Sequence, residues 1–438
     1  MNIPIPQFRL IQRLTFATAL ATASTLSAQT NDQRPNVLMI IVDDMNDYGF
    51  YNAYPGTRIP YLDAFKKQAV TFRYGTCASP VCGPSRAAVF SGLYPHTTGS
   101  YLNGSNPWQQ GILIDIETLP ELFKRSGYKN FGNGKLFHAK LAEGREADMF
   151  ENKPYHGGFG PFVPEEHRIR KTGETKQTKG GQKFWGSFEW EGPDSDFPDV
   201  KNADASIAFL QRKHDEPFFL MYGLWRPHTP FTAPKRFFEM YDPADIALPK
   251  GYLEGDLSDI PPYGHFLSGI WGERWKSAGK DEPENWKRIL HGYLACTSFA
   301  DWNCGRVIEA LDASPYGENT IVVFWSDNGF HLGEKDHYEK ATVWEVSALT
   351  PFAIRLSKNR NGGKTCIQPV STIDIYPTLI DYCDLESPAH ATEGLSLRQL
   401  LENPNSSWDR PAITTYGEGV FSARSKRFRY IRYPDGLE

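Results

Sequence analysis

The residues from Cys82 to Arg86 place a nucleophile, a proline and a cation within one short run, in the order Cys-Gly-Pro-Ser-Arg. Proline suits the first turn of a helix, because its missing N–H is not needed there and its φ angle is already helical. Ala87 to Phe90 continue this helix as an apolar run, and Gly92 is a typical residue for its end. Cys82 is therefore predicted at the amino end of a helix, where free N–H groups and the helix dipole favour a sulfate or phosphate group.

Two polar pairs follow apolar runs that are predicted to be buried strands. Asp43 and Asp44 come directly after one run, and Asp327 and Asn328 follow another. Ligands of parallel α/β sheets bind beyond the carboxyl ends of the strands, so two such pairs on adjacent strands would meet at one point. Three carboxylates and one amide oxygen form a hard oxygen cage, which suits Ca²⁺ or Mg²⁺ rather than zinc. The alternative for either pair alone is a turn or a helix cap.

Lysine and histidine recur in three further segments that could serve the same site. Lys135 and His138 are three residues apart, a spacing that places both on one side of a helix or a turn. His228 follows a third apolar run, and Lys340 lies in the segment after the second polar pair. A single histidine or lysine is more often a hydrogen-bonded core residue or a solvated one. These candidates therefore depend on the cysteine run and the polar pairs.

Taken together, these segments resemble the signature of the type I sulfatases, in which Cys-x-Pro-Ser-Arg is followed by Ser or Thr and then Gly. Here Ser91 and Gly92 occupy those last positions, and the resemblance runs from about Arg34 to the C-terminus. It implies an α/β, alkaline-phosphatase-like fold, with a mainly parallel central sheet flanked by helices and a smaller C-terminal α+β subdomain. It also implies that a maturation enzyme oxidises Cys82 to formylglycine, whose hydrate is the nucleophile.

The same resemblance implies a ligand set and a division of roles. One divalent metal, Ca²⁺ or Mg²⁺, would be held by five residues, namely Asp43, Asp44, residue 82, Asp327 and Asn328. Arg86 would add positive charge beside it, and Lys135 would bind sulfate oxygens. His228 is expected to protonate the leaving oxygen as a general acid, with Lys340 assisting. His138 is expected to take a proton from the second hydroxyl of the hydrate when sulfate is expelled.

Within the family, three segments carry a closer resemblance to the iduronate-2-sulfatase-like branch, namely residues 134–138, 218–231 and 293–301. The chain departs from that branch at Asn328, where His is frequent, and in the loops around residues 101–108 and 150–200. Those loops would shape the sugar subsites, so specificity for uronate does not follow from the resemblance. His331 and His337 are further candidates for contacts with the sugar.

The predicted function is removal of sulfate from a sulfated carbohydrate, either a uronate-containing or algal polysaccharide or a glycosaminoglycan oligosaccharide. Three alternatives stay open. The first is an arylsulfatase. The second is a phosphodiesterase or phosphonate hydrolase of the same superfold, which would usually carry Thr or Ser as its nucleophile. The third is a non-catalytic carbohydrate-binding protein in which Cys82 is unmodified. A net charge of −5 leaves no basic excess for nucleic acid.

Alternating apolar runs predict the elements that position these residues. The predicted strands are 36–42, 128–132, 218–222, 320–325 and 351–355, and the predicted helices are 60–70, 119–126, 202–212 and 286–311. Strands separated by helices predict a mainly parallel sheet with helices on both faces. Residues 139–200 and 241–285 break the pattern, and we expect them to be long insertions over the active-site face.

The chain is expected to divide into a signal peptide at 1–28, a catalytic domain at 29–369 and a C-terminal subdomain at 370–438. Arg9 and Arg13 precede a moderately hydrophobic stretch with small residues near Ala28, which indicates export to the periplasm or medium of a bacterium. No membrane span is expected in the mature protein. The abrupt end suggests that the C-terminal subdomain is truncated. Converting one of the six cysteines would leave five, so at most two disulfides could form.

Overall fold

A seven-stranded sheet forms the centre of the structure, a computed structural model that describes residues 34–104, 106–169 and 182–438. The predicted signal peptide lies outside these residues. In order of pairing, the strands are β11 (Thr365–Ser371), β2 (Val70–Thr76), β10 (Phe352–Arg355), β7 (Thr320–Ser326), β1 (Asn36–Asp43), β5 (Phe218–Pro227) and β3 (Lys129–Gly134). Only β10 runs antiparallel to its neighbours in this sheet. The prediction of a mainly parallel sheet is confirmed.

The other described strands form three smaller sheets. They pair β4 (Ser187–Trp190) with β6 (Phe231–Pro234), β8 (His331–Leu332) with β9 (Tyr338–Glu339), and β12 (Ala412–Gly417) with β13 (Val420–Arg424) and β14 (Arg429–Arg432). The α-helices are α1 (Asp47–Phe50), α2 (Pro60–Lys66), α3 (Cys82–Ser91), α4 (Pro95–Thr98), α5 (Leu119–Arg125), α6 (Arg145–Met149), α7 (Pro198–Leu210), α8 (Lys235–Phe238), α9 (Pro262–Gly269), α10 (Gly272–Ala278), α11 (Pro283–Asp312), α12 (Glu345–Ala348), α13 (Ile375–Cys383) and α14 (Arg398–Glu402).

Strand β1 shows how the sheet is buried on both faces. Its apolar side chains alternate between the two faces because successive residues of a strand point in opposite directions. Val37, Met39 and Ile41 pack with α3, α5 and α13, whereas the residues between them pack with α2, α7 and α11. An uninterrupted apolar run is therefore what a parallel strand between two helical layers requires.

The helix predicted over residues 60–70 is shorter in the structure. Helix α2 ends at Lys66, and Val70 begins strand β2 instead. Val70, Thr71 and Phe72 are β-branched or aromatic, and such side chains favour a strand. The other predicted elements have counterparts whose ends differ by a few residues. The proposed domain boundary at residue 370 falls inside β11 and stays a prediction.

The C-terminal residues form the small antiparallel sheet β12–β14 beside α13 and α14. Thr414 donates its hydroxyl to the carbonyl of Cys77 at 2.7 Å, and the N–H of Thr415 donates to the carbonyl of Ala78 at 2.9 Å. This sheet therefore packs against the loop that leads to Cys82. The expected smaller α+β part is confirmed.

All six cysteines lie among the described residues, and each is a buried free thiol. None of the helices in the described part of the chain has both the length and the apolar character that a membrane span needs.

Asp301 of α11 caps the amino end of α2, because its carboxylate accepts the N–H groups of Tyr61 at 3.2 Å and Leu62 at 2.6 Å. No side chain of the N-cap residue itself does so. We expect Asp301→Ala to lower the free energy of unfolding by about 1–2 kcal/mol in urea titrations, as for a lost N-cap. Asp63→Ala on the same helix removes only an exposed ion pair with Lys66 and should cost less than about 0.5 kcal/mol. Equal losses in both variants would contradict this cap.

Candidate active site

Four neighbouring parallel strands of the central sheet end at the same edge, and each is followed by predicted site residues. The register pairs Val42 with Ser326, Asp43 with Pro227 and Gly134 with Gly223. The carboxyl ends of β7, β1, β5 and β3 therefore lie side by side, which is where such sheets bind ligands. The residues that follow them are Asp327 and Asn328 after β7, Asp44 after β1, His228 after β5, and Lys135 and His138 after β3.

Cys82 is the first residue of helix α3, and Gly92 ends that helix with a left-handed φ of 71°. The N–H of Gly83 donates to Oδ1 of Asn103 at 3.0 Å, so the exposed 101–104 loop also reaches this helix end. Burial raises the pKa of the Cys82 thiol well above its usual value, and Asp43 raises it further. The thiol is therefore neutral, whereas a reactive cysteine would need a lowered pKa.

A buried acidic cluster surrounds the cysteine. One ligand atom from each of Asp43, Asp44, Cys82 and Asp327 lies within 4.8 Å of the others. The Asn328 amide joins them, because its Nδ2 donates to Oδ1 of Asp44 at 2.7 Å. Among the described residues, Oδ1 of Asp43, Oδ2 of Asp44 and Oδ1 of Asn328 are buried without a hydrogen-bond donor. Buried oxygens rarely stay unpaired, and this oxygen set fits a hard divalent cation.

Three cations compensate the three carboxylates. Nε of Arg86 donates to Oδ2 of Asp327 at 2.7 Å. The Lys135 ammonium contacts Asp43, and the Lys340 ammonium contacts Asp44 while lying 3.0 Å from Sγ of Cys82.

The lysines decide the ionisation of the aspartates. Burial alone would raise the pKa of Asp43, but Lys135 and then His228 outweigh it and lower that pKa to about 2. For Asp44, Lys340 outweighs burial in the same way and lowers the pKa. An opposite charge at such short range favours the charged form, so both carboxylates are ionised at neutral pH.

His228 presents one ring nitrogen to this cluster. Its Nδ1 lies 2.6 Å from the carbonyl of Thr229, which only accepts, so Nδ1 carries the proton. Its Nε2 lies 3.6 Å from Oδ2 of Asp44, and 18% of the side chain is exposed. Burial, and then Lys340, lower the pKa of His228 to about 4. The imidazole is therefore neutral at pH 7, with Nε2 facing the site.

His138 and two aromatic side chains lie around the lysine end of the site. The His138 side chain is exposed. It lies close to Gly83, since a Cβ added to that glycine would be 3.3 Å from Cδ2 of His138. The Phe159 ring centroid lies 4.5 Å from that of His228 and 5.4 Å from Nζ of Lys135, and Trp225 is also 5.4 Å from that nitrogen. The sequence predicted that the loops around residues 101–108 and 150–200 shape the sugar subsites, but it did not single out Asn103 or Phe159, and no periodic pattern marks either residue.

Four non-glycine residues at this site have a left-handed backbone. The φ angles are 62° at Asp44, 65° at His138, 70° at Glu339 and 71° at Ala341. Such conformations cost on the order of 1–3 kcal/mol each and persist only where the surrounding structure holds them. Lys340 lies between the last two, so its position is imposed by its neighbours.

The expectation that His331 and His337 face the sugar is wrong. Both rings are fully buried. His331 bonds the Thr342 hydroxyl at 3.1 Å and the carbonyl of Glu334 at 3.0 Å. His337 bonds the carbonyl of Lys340 at 2.8 Å and a second carbonyl at 3.1 Å. Through these hydrogen bonds, the two histidines support the loop that carries Lys340. The sequence could not show in which direction their rings point.

His156 lies beside the site and bridges two acceptors. Nδ1 is 2.9 Å from the carbonyl of Gly134, and Nε2 is 3.0 Å from the Glu146 carboxylate. Because both partners only accept, both nitrogens donate, as in the imidazolium. The hydrogen bond to Glu146 raises the pKa of His156, against partial burial and the opposing charge of Lys140.

The stabilisation from this pair should depend on pH. A raised pKa in the folded state gives stability that is fully present below the unfolded pKa of His, about 6.5, and is lost as pH rises through the folded value. We expect Glu146→Gln to lower the melting temperature at pH 6 and to have little effect at pH 9. Glu143→Gln, on the exposed part of the same segment, is the matched control. An equal loss at both pH values for Glu146→Gln would contradict the bridging imidazolium.

Comparison with known proteins adds a family to this geometry. A family model described as Sulfatase matches residues 35–385. A sulfatase of Formosa agariphila is 37% identical over 94% of this chain and 81% of its own length. An ulvan-active sulfatase of the same organism is 28% identical over 94% of this chain and 75% of its own length. The iduronate 2-sulfatase of Mus musculus is 28% identical over 83% of this chain and 65% of its own length.

Solved structures agree on the fold. The phosphonate monoester hydrolase of Agrobacterium radiobacter superposes with a TM-score of 0.71 at 20% identity, covering 92% of this chain and 88% of that one. At this identity the likeness concerns the fold alone, and it confirms the predicted alkaline-phosphatase-like architecture.

Proposed function

The chain belongs to the sulfatase family, and we propose that it hydrolyses a sulfate ester of a sulfated polysaccharide. One water is consumed, the S–O bond to the sugar oxygen is broken, and the products are the free sugar hydroxyl, sulfate and a proton. One observation carries the proposal, namely the position of Cys82 at the amino end of α3 within the buried cluster of three aspartates.

The substrate class rests on the similar proteins. One acts on ulvan and another is named for iduronate 2-sulfate, so both names point to sulfated polysaccharides or their uronate units. We propose the same broad class for this chain. A polymer of this kind is degraded outside the cell, which agrees with the predicted signal peptide and with export to the periplasm or medium.

Two groups complete the proposed site. Cys82 would be oxidised by a maturation enzyme to formylglycine, whose hydrate supplies the nucleophile. Asp43, Asp44, Asp327, Asn328 and residue 82 would hold one Ca²⁺ or Mg²⁺, which supplies charge that polarises the ester. Three of their buried oxygens have no hydrogen-bond donor among the described residues, and this supports the fit of the residues to such a cation.

The protein's own side chains then divide the work. Arg86 stays with Asp327 and holds that carboxylate in place. Lys135 and Lys340 balance the charges of Asp43 and Asp44, which a bound cation would balance as well, so we propose that they turn toward sulfate oxygens in the loaded enzyme. Cations fixed in this way stabilise charge on the transferring group without further reorganisation. Phe159, packed against the His228 ring, limits water on that side.

Proton transfer is assigned to the two histidines at the rim. Nε2 of His228 faces the cluster, and the negative charge of a sulfate ester beside it would favour protonation of the ring. We propose that His228 donates this proton to the leaving sugar oxygen, with Lys340 assisting. We propose that His138, which lies next to Gly83, accepts the proton that must leave residue 82 when sulfate departs.

The first test measures sulfate release from ulvan and glycosaminoglycan oligosaccharides by protein coexpressed with a formylglycine-generating enzyme. We expect Cys82→Ala and chelator treatment each to abolish sulfate release. Added Ca²⁺ or Mg²⁺ should restore release in the chelator-treated protein but not in Cys82→Ala. Cys366→Ala, at a buried thiol outside the site, should stay active. Release that survives in Cys82→Ala would contradict the proposed nucleophile. Absence of release from a fully converted, metal-loaded protein would contradict the substrate class.

The role of His228 can be tested through the leaving group. A general acid contributes typically about 10²–10⁴-fold, and it matters most when the leaving oxygen is basic. We expect His228→Ala to reduce kcat/KM for a sugar sulfate by about 10²-fold or more. The same variant should reduce kcat/KM for nitrophenyl sulfate much less, because that leaving oxygen is less basic. His265→Ala, at an exposed histidine, is the control. A larger leaving-group effect in Lys340→Ala than in His228→Ala would assign the acid to the lysine instead.

A further inference from the structure

A second depression, of about 750 Å³, lies between strand β4 and helix α11. It is called the β4 depression below. Its lining includes the rings of Phe188 and Trp190, the imidazoles of His167 and His291, and the guanidinium of Arg288. None of the residues assigned above to the metal, the nucleophile or proton transfer lines it. Its size suits one or a few sugar units.

The β4 depression is close to the candidate active site but separate from it. Ser187 of β4 pairs with Phe231, which follows His228 by three residues. On the helix side, the hydroxyl of Tyr293 donates to the carbonyl of Asp44 at 2.8 Å. Arg288 precedes that tyrosine by five residues, or about 7.5 Å along a helix. The two sites are therefore connected through β6 and α11, and a polymer long enough to follow the surface between them could occupy both.

Arg288 gives the β4 depression its chemistry. One terminal nitrogen, Nη2, donates to the carbonyl of Ser187 at 3.0 Å and also contacts the carbonyl of His167. Partial burial lowers the pKa of Arg288, and no carboxylate of the described residues opposes that effect. A half-buried guanidinium with a fixed orientation and further N–H donors is suited to bind a sulfate or a carboxylate.

The aromatic residues supply a surface for the sugar ring. Phe188 and Trp190 are two residues apart in β4, so they lie on the same face of the strand. Both are half-buried, and the His167 ring packs 4.7 Å from Phe188. Two carboxylates also line the depression, and Glu191 pairs with Lys235 at 3.2 Å. The other, Glu189, is exposed and can accept a hydrogen bond from a sugar hydroxyl.

We infer that the β4 depression binds a second sugar unit of the polysaccharide, one that carries a sulfate or a carboxylate. Arg288 pairs with the anionic group, and Phe188 and Trp190 pack against the ring. The inference rests on the proposed function for the identity of the polymer. It adds to that function a site that holds the polymer without taking part in the chemistry.

Binding can be measured without turnover by isothermal titration of the full-length Cys82→Ala protein. The probes are a carrageenan octasaccharide, which carries sulfate only, an oligogalacturonide of equal length, which carries carboxylate only, and cellohexaose, which is neutral. We expect Arg288→Ala in this background to weaken binding of at least one anionic probe by about tenfold, the effect of roughly 1.4 kcal/mol. The probe that is affected identifies the anionic group.

Further variants separate this role from simple misfolding. Arg288→Lys keeps the charge and should recover part of the affinity, and Trp190→Ala should weaken the same probe. Lys213→Ala, an exposed cation paired with Asp215 elsewhere, should change nothing. The inference is overturned if Arg288→Ala and Trp190→Ala both bind the anionic probes as tightly as the parent, or if Arg288→Ala weakens cellohexaose equally.

Kinetics distinguish this inference from the proposed function. In the active enzyme, Arg288→Ala should raise KM for a long sulfated oligosaccharide about tenfold with kcat unchanged, and leave KM for a monosaccharide sulfate unchanged. If no sulfated carbohydrate is hydrolysed at all, the proposed function fails while the titration still decides whether the β4 depression binds an anionic sugar. If KM rises equally for long and short substrates, the separate site is refuted.

Discussion

Mutual repulsion among three buried carboxylates is the constraint on which the site depends. Asp43, Asp44 and Asp327 lie in one cluster with atoms within 4.8 Å, and like charges at that range disfavour ionisation of one another. Asp43 and Asp44 stay ionised because Lys135 and Lys340 lie closer still, and Asp327 is paired with Arg86. A hard cation bound to the free oxygens would relieve the same repulsion. The fold must therefore bring the carboxylates and the compensating lysines to the same point.

The parallel sheet makes this delivery possible. Each strand end places one or two polar residues at the same edge, and the buried helices on both faces leave little freedom in the registers that bring them together. The last adjustments come from backbone that is less favourable locally. Asp44 and the two residues that flank Lys340 have left-handed φ angles, and Tyr293 from α11 holds the carbonyl of Asp44. Stability in the sheet is what allows strain in its loops.

The contrast between the regular strands and the irregular loops also explains how much the sequence could predict. Uninterrupted apolar runs followed by polar pairs were enough to predict β1, β7 and the convergence of their ends, and the proline and glycine around Cys82 were enough to predict α3. No strand was predicted at β2, because its residues follow a helix with no turn signal between them. The orientation of His331 and His337, and the packing of Phe159 on His228, depend on irregular loops, in which side-chain direction has no period that a sequence pattern can reveal.

The buried position of the chemistry has a consequence for specificity. Lys340 is 7% exposed and the aspartates are not exposed at all, so the inner residues can contact little more than the sulfate group itself. Every sulfate ester presents that same group to them. Discrimination between sugars must then come from side chains farther out, such as His138, Phe159 and the loop around Asn103. Phe159 and Asn103 lie in loops that depart from the iduronate-2-sulfatase-like pattern, which is why the family of this chain follows from its inner residues and its substrate does not.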